Sequence, residues 1–179
     1  MILNALRALR GGVEVPVRVA GWTDTSARLR HAHVELEPSI ARIRATADVL
    51  DGMTASAASV ALKEVCEFVS NDLLPHEEME DRTIYPMLAT AMGSDDATAS
   101  MHRTHQEIFR LARLLDRLVR DLPPEGPGRD DRTDVQRLLY GLEAILRLHQ
   151  AQEEDLYMSI GDSTPPAERP TSATAPVRL

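Results

Sequence analysis

Apolar side chains recur every three or four residues along most of this 179-residue chain, the spacing that places them on one face of an α-helix. Turn-forming residues interrupt the pattern at Asp51 and Gly52, at Met92 and Gly93, and across Pro123–Gly128. Three interruptions predict four long helices, over residues 25–50, 55–91, 95–122 and 131–160. The pattern therefore predicts an all-α fold, arranged as an up-down-up-down four-helix bundle.

The length of the chain is typical of one domain, and its turn-forming segments suggest where that domain begins and ends. Residues 23–161 form the predicted bundle, and residues 1–22 form an N-terminal arm whose role the sequence does not indicate. Residues 162–179 are rich in Pro, Ser and Thr, which predicts a disordered tail. Pro75 and Pro86 lie inside the second helix, where each removes a backbone donor and should bend the axis.

Composition and charge argue against two classes of partner, nucleic acids and membranes. Hydrophobic residues make up 43% of the chain but aromatic residues only 3%, which favours helices packed through aliphatic side chains. The net charge is -8 and basic residues are interleaved with acidic ones, so no nucleic-acid partner is expected. No window approaches the roughly 20 apolar residues that cross a bilayer, so no membrane association is expected. With a single cysteine and no export signal, the predicted location is the cytoplasm.

Histidine and glutamate interrupt the apolar stripes of the second and fourth helices with the same spacing. At 100° per residue, His149 and Glu153 lie within about 40° of the line through the apolar positions of helix four. These positions are Val135, Leu138, Leu142, Ile145, Leu156 and Ile160. His76 and Glu80 lie on the stripe of helix two in the same way, if Pro75 does not change the helical phase. The apolar stripe there comprises Ala58, Leu62, Val65, Val69, Thr83 and Met87.

The first and third helices share a second pattern, in which one histidine begins an otherwise apolar stripe. His33 and His105 are each followed by core positions at +3, +7, +10, +14 and +17. His33 precedes His105 by 72 residues, and His76 precedes His149 by 73. The chain therefore resembles two copies of one helical hairpin, each with one single-histidine helix and one HxxxE helix.

Other titratable residues near these positions fall off the stripes. His31 lies about 150° from the apolar face of helix one, and His102 about 140° from that of helix three, so both should face solvent. The same test turns three glutamates away from the stripes by about 100° or more, which predicts a solvated position for Glu77, Glu78 and Glu154. A rotation at Pro75 is what would bring Glu77 inward.

One histidine or glutamate on an apolar face is usually a satisfied core residue or a side chain that reaches out to solvent, which leaves a metal-free bundle as an alternative. The combination here favours metal, because two buried carboxylates cost several kcal/mol each unless they are paired, and no Lys or Arg lies near Glu80 or Glu153 on the stripes. The predicted two-metal site consists of His33, His76, Glu80, His105, His149 and Glu153.

Four imidazoles and two carboxylates exceed the needs of one structural zinc and are too rich in nitrogen for calcium or magnesium. They suit two iron ions bridged by carboxylates and an oxo or hydroxo group, with manganese and zinc as the alternatives. Positions left open at such ions would take a small diatomic ligand or peroxide.

Two segments carry a resemblance to a known family. His76, Glu80, Tyr85 and Pro86 form an HxxxE pair followed by an aromatic residue and proline, and a second HxxxE pair lies within Tyr140–Tyr157. Over residues 29–160 the chain resembles the hemerythrin-like proteins with an HHE cation-binding domain. The resemblance implies that the metals are iron and that the six residues named above are the ligands.

The chain departs from the oxygen-carrying hemerythrins, which have an HxxxH pair on the third helix. The positions four residues from His105 are Met101 and Phe109, and His102 would substitute only in a distorted helix. The pattern resembles the bacterial branch, which implies peroxide breakdown, nitric oxide chemistry, or iron and redox sensing, and makes reversible oxygen carriage the second choice. The alternative from another class is a non-catalytic sensor or oxygen-binding module, in which metal state or oxygen binding alters the N-terminal arm or the tail and thereby an unnamed protein partner. Tyr157 is expected either to pack against the site or to offer it a hydroxyl.

Overall fold

The computed structural model describes residues 17–162 of the chain. The elements in this part of the chain are β1 (Arg18–Val19), α1 (Trp22–Val49), α2 (residues 55–92), α3 (Ala99–Arg120), α4 (Arg129–Met158) and β2 (Gly161–Asp162). The all-α prediction is confirmed, since each predicted helix is present and ends within a few residues of its expected limits. Residues 1–16 of the predicted arm and residues 163–179 of the predicted tail lie outside the described residues.

Helix α2 is continuous but not regular. Its α-helical segments are Ala55–Phe68, Leu74–Met79 and Tyr85–Met92, and they are joined by π-type turns at Val69–Leu73 and Glu80–Ile84. Each proline lies two residues after the end of one of these turns, Pro75 after Val69–Leu73 and Pro86 after Glu80–Ile84. A regular α-helix would bring each proline ring against the carbonyl four residues earlier, and the wider turn relieves that contact. The chain accommodates its prolines by widening two turns, each of which takes up one additional residue.

Side-chain hydrogen bonds support the start of α2 and its second wide turn. Thr54 is the N-cap of α2, and its hydroxyl oxygen accepts a 3.2 Å hydrogen bond from the backbone N–H of Ala57. The hydroxyl of Thr83 donates to the carbonyl oxygen of Met79 at 2.6 Å, where the wide turn disturbs the regular backbone pairing.

Two apolar clusters fill the interior and leave a polar layer between them. The large cluster comprises Ile40, Ile43, Ala47, Leu50, Ala58, Leu62, Val65, Phe68, Val69, Leu73, Ile108, Leu111, Ala112, Leu115, Val135, Leu139, Leu142 and Leu146. The small cluster comprises Val19, Trp22, Leu29, Ile84, Tyr85, Leu88, Met101, Tyr157 and Ile160. On every helix the candidate ligands lie in sequence between a residue of one cluster and a residue of the other.

The segment before α1 is attached to the end of α4. Arg18 and Val19 pair in parallel with Gly161 and Asp162, and the indole N–H of Trp22 donates a 3.0 Å hydrogen bond to the carbonyl oxygen of Tyr157. The Trp22 and Tyr157 rings also meet edge to face with their centroids 5.5 Å apart. These contacts close the end of the bundle that holds the small cluster.

Candidate metal centre

Seven side chains from all four helices meet in the layer between the two apolar clusters: His33, His76, Glu77, Glu80, His105, His149 and Glu153. All six residues predicted from the sequence are among them. Glu80, His105, His149 and Glu153 have no residual exposure, and the His76 side chain is 10% exposed. The helices therefore bring three carboxylates and four imidazoles together away from water.

The first half of the centre gathers around His105 and His149. Their Nε2 atoms lie 2.7 Å apart, and Oε2 of Glu77 is 2.6 Å from the first and 3.2 Å from the second. One donor atom from each of these residues and from Glu80 lies within 4.8 Å of the other three. Ligands about 2.0–2.2 Å from one ion are at most about twice that distance apart, so the four donors suit a common ion.

The second half contains His33 and His76, whose rings meet edge to face with centroids 5.2 Å apart. Nε2 of His33 lies 3.7 Å from Oε1 of Glu80, and Nε2 of His76 lies 3.5 Å from the same oxygen. These three residues again place one donor atom each within 4.8 Å of the others. The two hairpins of the sequence repeat thus correspond to the two similar halves of the centre.

Two carboxylates connect the halves. Oε1 of Glu80 faces His33 and His76, while its Oε2 lies 3.8 Å from Nε2 of His105. Oε2 of Glu153 is 3.3 Å from Nε2 of His33 and 3.3 Å from Nε2 of His149. Both glutamates therefore lie between the histidines of the two halves.

Many side-chain nitrogens and oxygens of the centre have no hydrogen-bond partner. Within residues 17–162, every buried side-chain nitrogen or oxygen that has no hydrogen-bond partner belongs to this centre. These atoms are Nδ1 and Nε2 of His33, Nε2 of His76, Oε2 of Glu77, Oε2 of Glu80, Nδ1 of His149 and Oε2 of Glu153. Unpartnered buried polar atoms are costly, and bound cations would satisfy most of these.

Two tyrosine hydroxyls contact the bridging carboxylates from the side of the small cluster. Tyr85 donates to Oε1 of Glu153 at 2.5 Å, and its oxygen is 3.0 Å from Nε2 of His105. The Tyr157 hydroxyl lies 2.9 Å from Oε1 of Glu80 and 3.0 Å from Oε1 of Glu153. Burial raises the pKa of both phenols, and the nearby glutamate charges raise it further, so both remain protonated donors.

In the metal-free protein, some histidines of the centre are protonated and carry positive charge. Burial lowers the pKa of His33, but the nearby carboxylates of Glu153 and Glu80 outweigh burial and raise it to about 10. Burial likewise opposes protonation of His105, yet Glu77 and Asp81 raise its pKa to about 9. Protonated histidines therefore balance the carboxylates when no cation is bound.

The three carboxylates differ in pKa. Burial favours the neutral acid in each, but His105 and His149 lower the pKa of Glu77 to about 2. Glu80 and Glu153 form a coupled pair, in which burial and the neighbouring carboxylates raise the pKa of Glu80. His33 and His149 outweigh burial at Glu153 and lower its pKa. The metal-free pair thus holds a proton at Glu80 and a charge at Glu153.

Glu77 is the candidate ligand that the sequence stripe missed. It was expected to face solvent, but the residue is only 2% exposed and lies between His105 and His149. The π-type turn at Val69–Leu73 takes up one residue and advances the buried positions, which include Leu73 and Glu77. The prediction of a solvated Glu77 is therefore wrong, because the helix does rotate near Pro75.

The same change of phase corrects the predicted stripe beyond Glu80. Thr83 is exposed and Met87 only partly buried, whereas Tyr85 and Leu88 are fully buried. Two features of the sequence could have indicated this change of phase. One is the presence of two prolines in the helix, and the other is that large apolar residues stand one or two positions after Thr83 and Met87. A regular helix would have buried Thr83 and left Leu88 outside the core, so packing favours the wide turns.

Other expectations about individual residues have mixed outcomes. His31 and Glu78 are exposed, as the stripe analysis predicts, with the side chain of His31 73% exposed. His102 is also partly exposed, but its ring contacts Asp81 beside the centre. Of the two expectations for Tyr157, the structure shows both packing and a hydroxyl on the glutamates.

The donor set matches first-row transition metals. Imidazole nitrogens with carboxylate oxygens suit iron, manganese or zinc, whereas calcium and magnesium prefer oxygen alone. The recorded ion-pair partners of Glu77, Glu80 and Glu153 within residues 17–162 are histidines, with no Lys or Arg among them. The buried cluster is therefore able to hold metal ions.

Comparison with known families agrees with this geometry. The family model of the hemerythrin HHE cation binding domain matches residues 24–160, which include all seven residues of the centre. Comparisons with curated proteins and with solved structures gave no significant match. Since the family match spans most of the chain and coincides with the helices that supply the ligands, the chain belongs to the hemerythrin family of HHE cation-binding domains.

Proposed function

We propose that the centre holds two iron ions and that the protein binds or reacts with peroxide, nitric oxide or dioxygen. The observation that carries this proposal is that every unpartnered buried side-chain nitrogen or oxygen of residues 17–162 belongs to the seven residues of the centre, six of which form two groups that share Glu80. A pair of iron ions, when bound, supplies the electron transfer by which two molecules of hydrogen peroxide become dioxygen and two of water.

In this proposal each half of the centre holds one ion. His105, His149 and Glu77 would hold the first, and His33 and His76 would hold the second. Glu80 and Glu153 would be shared by the two ions, because each faces histidines of both halves. Five side-chain donors at the first ion and four at the second leave room for a small molecule at the second.

The tyrosines hold protons beside the place where peroxide would react. The Tyr157 hydroxyl lies between Oε1 of Glu80 and Oε1 of Glu153, and Tyr85 donates to the same Glu153 oxygen. Peroxide breakdown moves protons between two oxygen atoms of the substrate, and a hydroxyl shared by two carboxylates is placed to pass one on. The large and small apolar clusters exclude bulk water on both sides of this layer.

Glu77 favours reaction over reversible oxygen carriage. The third helix offers Met101 and Phe109 where an oxygen carrier has its second histidine, and the structure supplies the Glu77 carboxylate beside His105 instead. A carboxylate adds negative charge, which stabilises higher oxidation states of iron more than imidazole does.

An open groove offers a route for small molecules. It lies between α1 and α2, has a volume of about 440 Å³, and reaches the partly exposed edge of His76. Its walls combine polar side chains with apolar ones, so the route is partly polar. The polar residues are Glu35, Ser39, Asn71 and Asp72, and the apolar residues are Ala32, Leu36 and Phe68. Entry on this side would lead to the half of the centre with fewer ligands.

The test combines metal analysis with peroxide consumption. Protein purified from iron-supplied cells should contain close to two iron ions per chain, absorb in the near ultraviolet, and consume peroxide. His149→Ala should lose the iron ion of the first half of the centre and the activity, whereas the exposed His31→Ala should keep both ions and the activity. An iron-loaded wild-type protein that reacts with none of the three small molecules would contradict the reactive function.

The proposal extends to the course of the helices and to location. Helix α1 contacts α2 and α4, and α3 contacts α2 and α4. Short connections between such neighbours favour an up-down-up-down order. Within residues 17–162 no helix has the length and apolarity to cross a membrane. Cys66 is a free thiol, which supports a reducing compartment such as the cytoplasm.

A sensor is the second candidate function, and one chain of contacts favours it. Tyr157 binds Glu80 and Glu153 through its hydroxyl, and its carbonyl oxygen accepts from Trp22 at the start of α1. A change of metal state is thereby connected to the segment that precedes α1. Proteolysis of residues 1–22 should then differ among reduced, oxidised and metal-free samples, and identical digestion would count against this function.

A further inference from the structure

His105 differs from the other fully buried histidines in the partner of its second ring nitrogen. Its Nδ1 lies 2.9 Å from Oδ1 of Asp81, and the same oxygen is 2.8 Å from Nδ1 of His102. The Nδ1 atoms of His33 and His149 are buried without any hydrogen-bond partner. One ligand of the centre is thus held by a carboxylate, and that carboxylate is held by a second histidine.

The chemistry of these groups fixes which nitrogen of His105 carries hydrogen. An ionised carboxylate only accepts hydrogen bonds, so Nδ1 of His105 and Nδ1 of His102 must both donate to Asp81. A His105 ring that has its only hydrogen on Nδ1, as metal binding requires, presents the lone pair of Nε2 towards Glu77 and His149, where an ion would bind. A carboxylate behind a ligating histidine orients the ring and increases its basicity.

The Asp81 contact depends on the second wide turn of α2. Asp81 follows Glu80 within Glu80–Ile84, and its side chain is 24% exposed, at the boundary between the centre and solvent. Tyr85 packs on both histidines, with its ring stacked on His105 at 5.0 Å and edge-on to His102 at 5.4 Å. The arrangement is therefore fixed by packing as well as by hydrogen bonds.

We propose that Asp81 is a positioning residue for His105, that His102 holds Asp81 in place, and that the metal position beside His105 consequently fills first. This inference rests on the metal centre proposed above. Glu77, Glu80, His105 and His149 place four fully buried donors around that position. The other position has His33, His76 and Glu80, with His76 at the edge of the groove. Two metal ions should therefore bind in two steps of different affinity.

The experiment titrates Co²⁺ into the metal-free full-length protein and follows its visible absorption. The wild type should show a tight step and a weaker step. His149→Ala should lose the tight step and His76→Ala the weaker one, which assigns each step to its half of the centre. Asp81→Ala should weaken the tight step by about 10–100-fold and leave the weaker step unchanged, as removal of a partner behind a metal-ligating histidine does elsewhere.

Matched variants separate positioning from a general loss of structure. Asp81→Asn keeps an acceptor oxygen but no charge, so its tight step should lie between those of the wild type and Asp81→Ala. His102→Ala should weaken the same step to a smaller extent. His31→Ala removes an exposed histidine that also contacts a carboxylate, Glu35 at 3.4 Å, and should leave both steps unchanged.

A second measurement does not need a variant that folds. In the Zn²⁺-loaded wild type, nitrogen NMR should find the His105 hydrogen on Nδ1 and protected from exchange. Equal weakening of both steps by Asp81→Ala, no weakening of either, or a His105 ring without hydrogen on Nδ1 would overturn the inference while leaving the metal centre intact. A wild-type protein that binds no Co²⁺ would overturn the metal centre and this inference with it.

Discussion

The hydroxyl of Tyr85 in α2 donates a 2.5 Å hydrogen bond to Oε1 of Glu153 in α4, 68 residues further along the chain. Both side chains are buried, and the Tyr85 ring also belongs to the small apolar cluster. The bond therefore joins the packing of one end of the bundle to a carboxylate of the candidate metal centre. It orients Glu153 before any metal ion is present.

Replacing Tyr85 with phenylalanine should destabilise the metal-free protein by about 1.5 kcal/mol, the usual contribution of a hydrogen bond to a charged group. The ring remains, so packing is kept while Glu153 loses one of its two tyrosine donors. Urea unfolding at pH 7 measures the difference. Tyr140→Phe is the matched control, because its hydroxyl donates to Asp48 in an exposed position, and an equal loss in both variants would contradict this role.

Glu77→Gln should reduce the metal content from about two ions per chain to about one, because the first half of the centre loses its additional carboxylate. The neighbouring Glu78→Gln is the control, since its half-exposed side chain pairs with Arg82 away from the centre. Metal analysis after dialysis measures the outcome. Two ions retained in Glu77→Gln would show that Glu77 is buried beside the centre without binding metal.

Metal binding should release protons, because a ligating nitrogen or oxygen must give up its hydrogen. At pH 7 the metal-free protein holds protons on His33, with a pKa of about 10, on His105, with a pKa of about 9, and on Glu80, with a pKa of about 8. Affinity for Co²⁺ or Zn²⁺ should therefore rise with pH up to about 9–10. Calorimetry in buffers of different ionisation enthalpy counts the released protons, and a result near zero at pH 7 would contradict this charge state.

The same protons affect the stability of the metal-free chain. The folded pKa values of His33 and His105 lie above the ordinary value of 6.5, so their contribution to stability is complete below pH 6.5. That contribution should be lost as the pH rises through about 9 and 10. Unfolding free energies measured between pH 6 and 10 should fall in the metal-free protein.

The sequence predicted α1 and α3 well because both are regular helices. His33 and His105 begin the buried stripes at the expected spacing, and the buried Ile40 and Ile108 follow in phase. A constant turn of 100° per residue is enough to place their side chains. His31 and His102 could be excluded as ligands for the same reason, although the support of His105 by Asp81 and His102 involves a contact between helices that periodicity does not contain.

Helix α2 was predicted less well because two helical phases are possible for it, and the packing of the other helices determines which one forms. Either a regular helix buries Thr83 and Met87, or two wide turns bury Tyr85 and Leu88. The second arrangement removes more apolar surface from water and relieves the prolines, but only the facing helices make it available. Glu77 enters the centre as a result of that choice.

The wide turns can be tested by shortening the chain. Deleting the exposed Asn71 and replacing Pro75 with alanine should allow a regular helix at residues 69–73, because the turn contains one residue beyond a regular one. Side chains after the deletion would keep their directions, so Co²⁺ binding should survive. Deletion of the exposed Gln106 from the regular helix α3 should rotate His105 by about 100° against the rest of that helix and abolish binding. Loss of Co²⁺ binding in both proteins would contradict this account.

The apolar core is divided unevenly, so the two ends of the bundle should differ in local stability. Within residues 17–162 the large cluster holds 18 buried residues and the small cluster 9, and the layer of charged groups separates them. Local opening is easiest where few apolar contacts must be broken. Without a cation to hold the layer together, the end with Trp22 and Tyr157 should exchange its amide hydrogens well before the opposite end. The half of the bundle with the large cluster should thus stay rigid with or without a cation. The rigidity of the half with the small cluster depends on what the centre binds.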